Sequence, residues 1–296
     1  MRPSGGEDPE NEKDEERADL ELLGILGYPL GHSLSPAMHN AALRERGIAG
    51  IYLPLEVPPP SLAGALEGLR HLPFRGANVT VPHKEAAFGL VDELAPSARK
   101  AGAVNTLQRR GGLLIGHNTD GAGFLASLAE ADVDPAGRRV LILGAGGAAR
   151  AVAVALVGAG AAELVLINRH APRAQDLATE LAEGGPARAA VWEAMEEELG
   201  RAELLVNATC VGMHPQAGES PVEDLSALPQ AAPVVDLVYN PRPTALLARA
   251  RALGHPVLDG LGMLVHQGAL SFGIWFGEDG PVQVMRRAAV AALEAR

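Results

Sequence analysis

Two α/β domains, the second opening on a parallel sheet with a glycine turn, are what this sequence predicts. Three observations carry that expectation. The chain has 296 residues, which suits about two domains at roughly 150 residues each. From Leu22 onward, short apolar runs alternate with helical stretches in two successive series, the rhythm of strands in a largely parallel sheet covered by helices. One apolar run also ends in a glycine-rich turn that leads straight into a helix.

The elements follow in order. Leu22–Leu26, Ile51–Leu55, Asn78–Val81 and Val104–Leu107 read as the strands of the first series, with helices near Pro36–Arg46 and Leu62–His71 between them. In Gly31-His32-Ser33-Leu34-Ser35-Pro36, Ser35 is a suitable N-cap and Pro36 a suitable first helical residue. A helix near Thr119–Ala131 links the two series. Arg139–Leu143, Glu163–Ile167, Leu204–Asn207 and Val234–Leu237 are compact apolar runs bounded by Gly, Asn or Pro, as buried central strands are. Leu261–Trp275, preceded by Asp259-Gly260, and Val282–Ala295 read as two long helices.

Composition narrows the function. The formal charge is −11, from 25 basic and 36 acidic residues, and a nucleic-acid binder needs a basic face instead. The segment from Met1 to Glu21 holds three basic and nine acidic residues with no apolar stretch. It therefore reads as a disordered acidic tail over residues 1–20 rather than a signal peptide. No apolar run is long enough to span a bilayer. The one cysteine, Cys210, excludes an internal disulfide and a cysteine-based metal cage, and points to a reducing, cytoplasmic setting. None of the nine histidines has the paired spacing of a metal helix, so no metal is expected.

The glycine turn is the first chemical motif. The strand Arg139–Leu143 runs into Gly144-Ala145-Gly146-Gly147-Ala148-Ala149. Gly144 permits the tight turn, Gly146 lets a pyrophosphate approach the backbone, and Ala149 allows close helix–strand packing. The helix N-terminus then offers free N–H groups to phosphate. Strand, turn, helix and next strand occur in order, which identifies a Rossmann-type dinucleotide-binding domain. Its second strand ends 24 residues after Gly144 at Asn168-Arg169, with Arg173 close behind and no carboxylate for a ribose 2′-hydroxyl. Two guanidinium groups at that place favour NADP(H) over NAD.

The first series carries polar residues at its element ends. Ser33 and Ser35 stand at a helix N-terminus, where a substrate carboxylate could bind. Asn78 and Thr80 fall on one strand face, with Lys84 just past its end; lysine occurs only at 13, 84 and 100. In a chain whose other cations are arginines, a lysine there hints at a removable proton. Asn105-Thr106 and Asn118-Thr119-Asp120 add polar groups at two more ends.

Together these segments resemble the shikimate dehydrogenase family, from about Leu22 to the C-terminus. The signposts are GHSLSP (31–36), GANVTVPHK (76–84), GAVNT (102–106), NTDG (118–121), GAGGAAR (144–150), NRHAPRA (168–174), NAT (207–209) and DGLGMLVHQ (259–267). The resemblance implies NADPH-dependent reduction of 3-dehydroshikimate to shikimate in aromatic amino-acid (chorismate) biosynthesis. It also implies that Ser33 and Ser35 hold the carboxylate, with Tyr239 reaching toward it. Asn78, Thr80, Asn105, Asp120 and Gln267 would grip the ring hydroxyls, and Lys84 and Asp120 would form the catalytic pair. Gly144 to Ala149 would cradle the pyrophosphate, Asn168, Arg169 and Arg173 would surround the 2′-phosphate, and Thr209, Gly260 and Met263 would line the nicotinamide end.

Family architecture further implies a substrate domain over residues 21–120, completed by 260–296 as the last helices return to it, and a cofactor domain over 121–259. Two departures stand out: His170 where relatives often carry Thr or Ser, and Cys210 where Ser is common. A quinate/shikimate dehydrogenase using NAD and a non-catalytic NADP- or metabolite-binding relative are the alternatives. Ser33 and the Asn168-Arg169 end argue against the first, the presence of both Lys84 and Asp120 against the second. The expected partner is a small-molecule substrate, with neither nucleic acid nor membrane, in a monomer or homodimer.

Overall fold

The computed structural model describes residues 20–295; most of the expected acidic tail lies outside them. Two six-stranded sheets are found among the described residues. The first is built from β1 (Glu21–Gly27), α1 (Ser35–Glu45), β2 (Gly50–Glu56), α2 (Leu62–His71), β3 (Phe74–Val79), α3 (Lys84–Phe88), β4 (Glu93–Leu94), α4 (Pro96–Ala101), β5 (Thr106–Arg110) and β6 (Leu113–His117). Its strand order is β2-β1-β3-β5-β6-β4.

β1 pairs parallel with both β2 and β3, but β3–β5 and β5–β6 are antiparallel. The first sheet is therefore mixed rather than largely parallel. The cause is local: Gly111 and Gly112 both take positive φ, at 61° and 85°, and such a pair makes the tight hairpin turn that folds β6 back on β5. Among the boundaries that differ from expectation, three bear on the candidate site, and β5 also starts at Thr106 rather than Val104. β3 runs from Phe74 to Val79 rather than over Asn78–Val81, so Thr80 lies past its end in a turn closed by the His83 amide donating to the Thr80 carbonyl at 2.9 Å. Lys84 is the first residue of α3. Ser35 is already inside α1, and Leu34 is its cap, while the Ser33 hydroxyl accepts from the Ser35 amide at 3.3 Å.

α5 (Asp120–Glu130) leads to the second sheet. There follow β7 (Arg139–Leu143), α6 (Gly147–Gly158), β8 (Glu163–Ile167), α7 (Ala171–Ala182), β9 (Ala187–Ala190), α8 (Met195–Gly200), β10 (Leu204–Asn207), β11 (Val234–Asp236), α9 (Ala245–Ala252) and β12 (Val257–Leu258). The order is β12-β11-β10-β7-β8-β9, and every pairing is parallel. Strand order reverses between β7 and β10, so a crevice opens beyond their carboxyl ends, the usual ligand position in such sheets. At the opposite ends, Arg139 and Arg188 alternate with Glu163 and Glu198 in a network of ion pairs.

α10 (Leu261–Phe276) and α11 (Val282–Glu294) pack back on the first sheet. Leu261, Val265, Phe272 and Trp275 share a core with Leu23, Leu34, Met38 and Tyr52. His39 is sealed in that core with its ring stacked on Tyr52, centroids 4.3 Å apart and planes 8° from parallel. α5 belongs to both halves. Phe124 and Leu128 enter the core under β7 and β8, and glycines let the helix touch neighbours on two sides. A Cβ on Gly121 would stand 2.6 Å from the Ala151 carbonyl oxygen of α6, and one on Gly123 2.6 Å from the Gln267 amide nitrogen of α10. Among the described residues no helix is long and apolar enough to cross a membrane.

Candidate active site

The carboxyl ends of both sheets converge on Lys84 and Asp120. The Lys84 ammonium donates to Asp120 Oδ2 at 2.6 Å, with the two side chains 15% and 4% exposed. Asp120 is the first residue of α5, where the positive end of the helix dipole favours a carboxylate. The backbone amide of Asp120 donates to Asn118 Oδ1 at 3.0 Å, which fixes the turn into the helix. Lys84 is tied at its own backbone, its carbonyl accepting from the Val104 amide at 2.8 Å.

Asn105 links the pair to its surroundings. Its Nδ2 reaches Asp120 Oδ1 at 3.0 Å, Thr119 Oγ1 at 2.9 Å and Gln267 Oε1 at 3.2 Å, while its Oδ1 accepts from the Thr119 amide at 2.8 Å. Gln267 arrives on α10, as the return of the C-terminal helices requires, and its Nε2 donates to the Leu264 carbonyl at 2.7 Å. Asn78 lies one layer deeper. Its Oδ1 accepts from the Tyr52 hydroxyl at 2.7 Å, and its Nδ2 faces the Asn105 carbonyl, Thr106 Oγ1 and Ser271 Oγ at 3.0–3.1 Å. Its amide is thus engaged by protein groups on both atoms. Burial pushes the Tyr52 phenol well above its usual pKa, with Ser35 a further hydrogen-bonding neighbour. The hydroxyl remains a neutral donor.

Two of these groups lie outside every motif read from the sequence. Tyr52 and Ser271 sit in apolar stretches, yet Ser271 is fully buried and its hydroxyl also lies 2.8 Å from Thr106 Oγ1 and 3.2 Å from Thr119 Oγ1. The available signal was its position four residues after Gln267 on the same helix face. Of the residues expected to bind a carboxylate, Ser35 is buried, Ser33 and Tyr239 are half-buried, and Tyr239 packs against the core that holds Leu34 and Leu261. Thr80 is half-buried just beyond β3.

The glycine turn has the form a dinucleotide requires. Gly144 has φ of +113°, and a Cβ there would stand 3.0 Å from the Ala208 carbonyl oxygen. Gly146 caps α6 with no side chain closing the helix end, so its first amides are free to meet phosphate. In front of Gly146 the nearest atom to an added Cβ is Glu85 Oε1, 3.9 Å away. Ala149 is fully buried under the sheet. Gly147 brings the two halves together, since a Cβ on it would lie 3.0 Å from the Lys84 Cβ.

At the end of β8, Asn168 Nδ2 donates to the His170 carbonyl at 2.9 Å and shapes the turn. Arg169 and Arg173 are exposed there, with Arg173 paired to Glu85. Thr209 is held by Asn207, whose Oδ1 accepts from the Thr209 amide at 3.0 Å and hydroxyl at 2.7 Å. Asn207 in turn donates to Asp236 Oδ1 at 2.8 Å, and Thr244 donates to Asp236 Oδ2 at 2.6 Å. Burial raises the Asp236 carboxyl to about 6 against those bonds. Gly260 and Met263 are buried; a Cβ on Gly260 would press within 2.0 Å of the Leu237 carbonyl oxygen. The free helix end, the open space before Gly146 and the exposed arginines fit an NADP-type cofactor.

Comparisons with known proteins agree with this arrangement. Residues 25–107 match the family model described as the shikimate dehydrogenase substrate binding domain, residues 127–246 that of shikimate / quinate 5-dehydrogenase, and residues 260–290 that of the shikimate 5′-dehydrogenase C-terminal domain. A shikimate dehydrogenase (NADP+) of Symbiobacterium thermophilum is 52% identical, covering 92% of this chain and 95% of its own. Another, of Methanopyrus kandleri, is 48% identical over 93% and 97%. Among solved structures, shikimate 5-dehydrogenase of Thermus thermophilus in complex with NADP(H) and shikimate superposes with a TM-score of 0.85 at 42% identity, covering 93% of this chain and 100% of that one.

Proposed function

The chain belongs to the shikimate dehydrogenase family, and on that premise we propose which of its residues carry the reaction. It is an NADP-dependent oxidoreductase acting on a CH–OH group, and interconverts 3-dehydroshikimate and shikimate in aromatic amino-acid biosynthesis. The observation that carries the assignment of roles is the 2.6 Å contact of Lys84 Nζ with Asp120 Oδ2 beside the glycine turn.

When bound, NADPH supplies a hydride to the substrate carbonyl carbon. The carbonyl oxygen then needs a proton as it becomes an alkoxide. Lys84 Nζ donates that proton in reduction and accepts it in oxidation. Asp120 aims the ammonium through Oδ2, while Asn105 holds its other oxygen. Thr80, Asn105, Asp120 and Gln267 bind the ring hydroxyls. Asn78 serves this set from behind, holding the Asn105 carbonyl rather than presenting a free amide. Ser33 and Ser35, with Tyr239 opposite, take the carboxylate at the start of α1. Gly144, Ala145, Gly146, Gly147, Ala148 and Ala149 hold the pyrophosphate; Asn168, Arg169 and Arg173 hold the 2′-phosphate; Thr209, Gly260 and Met263 face the nicotinamide.

The same proposal divides the chain into a substrate domain over residues 21–120 and 260–296 and a cofactor domain over 121–259. Support comes from the separate cores and the packing of α10 on the first sheet. A cytoplasmic monomer or homodimer fits a chain with one cysteine and no disulfide.

The test is NADP+ reduction with shikimate as the sole substrate, in the wild type and in Lys84→Ala. The variant is expected to lose ~10²- to 10⁴-fold in kcat with a much smaller change in KM. Turnover near wild type at saturating substrate would remove Lys84 from proton transfer. Preference for quinate with NAD+ over shikimate with NADP+ would overturn the substrate and cofactor assignment.

A further inference from the structure

Glu85 follows Lys84 on α3, yet its carboxylate points away from the catalytic pair and across the crevice. Both of its oxygens accept from Arg173 Nη2, at 2.7 and 2.9 Å. Arg173 lies in the first turn of α7, so the bond joins the substrate side of the crevice to the cofactor side. The same carboxylate is the nearest group to the open space before Gly146. A fixed negative charge therefore stands between the glycine turn and the guanidinium.

We propose that Glu85 sets cofactor affinity by competing with the 2′-phosphate of NADP for Arg173. The inference rests on the placement of Arg173 at the 2′-phosphate given above. One guanidinium edge cannot serve a carboxylate and a dianionic phosphate together without bringing like charges into contact. NADP binding therefore exchanges one anionic partner of Arg173 for another, and the phosphate gains only the difference. NAD lacks the competing group and leaves the Glu85–Arg173 pair intact. The pair is about half exposed on both sides, which limits its worth to that of a solvent-screened ion pair.

The test measures Kd for NADP+ and NAD+ by titration calorimetry on the full chain, for wild type, Glu85→Gln, Arg173→Ala and the double variant. Glu85→Gln is expected to tighten NADP+ binding by about two- to fivefold, and to leave NAD+ binding nearly unchanged. The gain should shrink as ionic strength rises. Arg173→Ala is expected to weaken NADP+ binding, and adding Glu85→Gln to it should bring no further gain. Unchanged or weaker NADP+ binding in Glu85→Gln, alongside a weakened Arg173→Ala, would overturn the competition while leaving Arg173 at the phosphate. NADP+ binding unaltered by Arg173→Ala would instead remove Arg173 from the phosphate site, and the proposal with it.

Discussion

His39 gives the sharpest link between a buried group and a measurable slope. Its ring is fully buried between Tyr52 and Trp275, and neither ring nitrogen meets a hydrogen-bond partner, although the Asn78 amide lies nearby. Loss of solvation lowers its pKa from 6.5 to about 3, an effect that Asn78 only partly offsets. The folded value lies below the unfolded one, so the unfolded chain takes up the proton first as pH falls. Stability from the neutral ring is complete above about pH 6.5 and drains away toward pH 3.

Between pH 7.5 and pH 5 the ring should cost the folded state about 2 kcal/mol, rising to about 5 kcal/mol below pH 3. Urea unfolding of wild type and His39→Phe at pH 5, 6 and 7.5 measures this. Whatever the new ring does to packing is common to all three pH values and cancels in the difference between slopes. His117, also lowered by burial, is present in both proteins and cancels as well. The wild type should therefore lose about 2 kcal/mol more than the variant between the two ends of the series. Parallel slopes would show that His39 is not held neutral in the fold, and would refute the account of that core.

Asp120→Asn removes the charge partner of Lys84 and a substrate contact together, so kcat should fall by ~10²-fold and KM for shikimate should rise; steady-state kinetics at saturating NADP+ separates the two. Arg169→Ala should lower kcat/KM for NADP+ about tenfold and leave the NAD+ value nearly unchanged, since only the phosphate-bearing cofactor loses a charge-assisted contact. Gly76→Ala would put a Cβ 2.2 Å from the Leu107 carbonyl oxygen and 2.3 Å from Trp275 Nε1, where the indole donates to that same carbonyl. Denaturant titration should show a loss of at least ~1–3 kcal/mol.

What could be read from the sequence follows the physics of each element. Arg139–Leu143, Glu163–Ile167 and Leu204–Asn207 were expected as strands at the bounds they adopt, because a central parallel strand buried on both faces is written as an uninterrupted apolar run. β4, β9 and β12 lie at sheet edges, are two to four residues long and carry no such run. β6 was signalled only by Gly111-Gly112, whose meaning as a hairpin depends on both taking positive φ. In the site, Lys84, Asp120, Asn105 and Gln267 lie in short motifs and were named from them. Tyr52 and Ser271 behind them were not, since they reach Asn78 and Thr106 only when separate elements converge. Ser35 shows the opposite error: a serine beside proline fits a cap, yet the helix starts one residue earlier.

The two glycines of α5 have a mechanical consequence. The chain crosses from one sheet to the other along this helix and returns just before α10, and the two crossings touch where Gly123 meets Gln267. Side-by-side crossings define a rotation axis, and any rotation displaces a point in proportion to its distance from that axis. Asp120, at the head of α5, and Gln267, against its second turn, lie almost on it. The glycine turn lies close by as well, since Gly147 meets Lys84, which is bonded to Asp120. Swinging one half against the other would thus leave Asp120, Asn105 and Gln267 in register, since hydrogen bonds join all three. The residues proposed to hold the substrate ring thus sit at the joint between the two halves, where the same contacts that fix their positions also tie one half to the other.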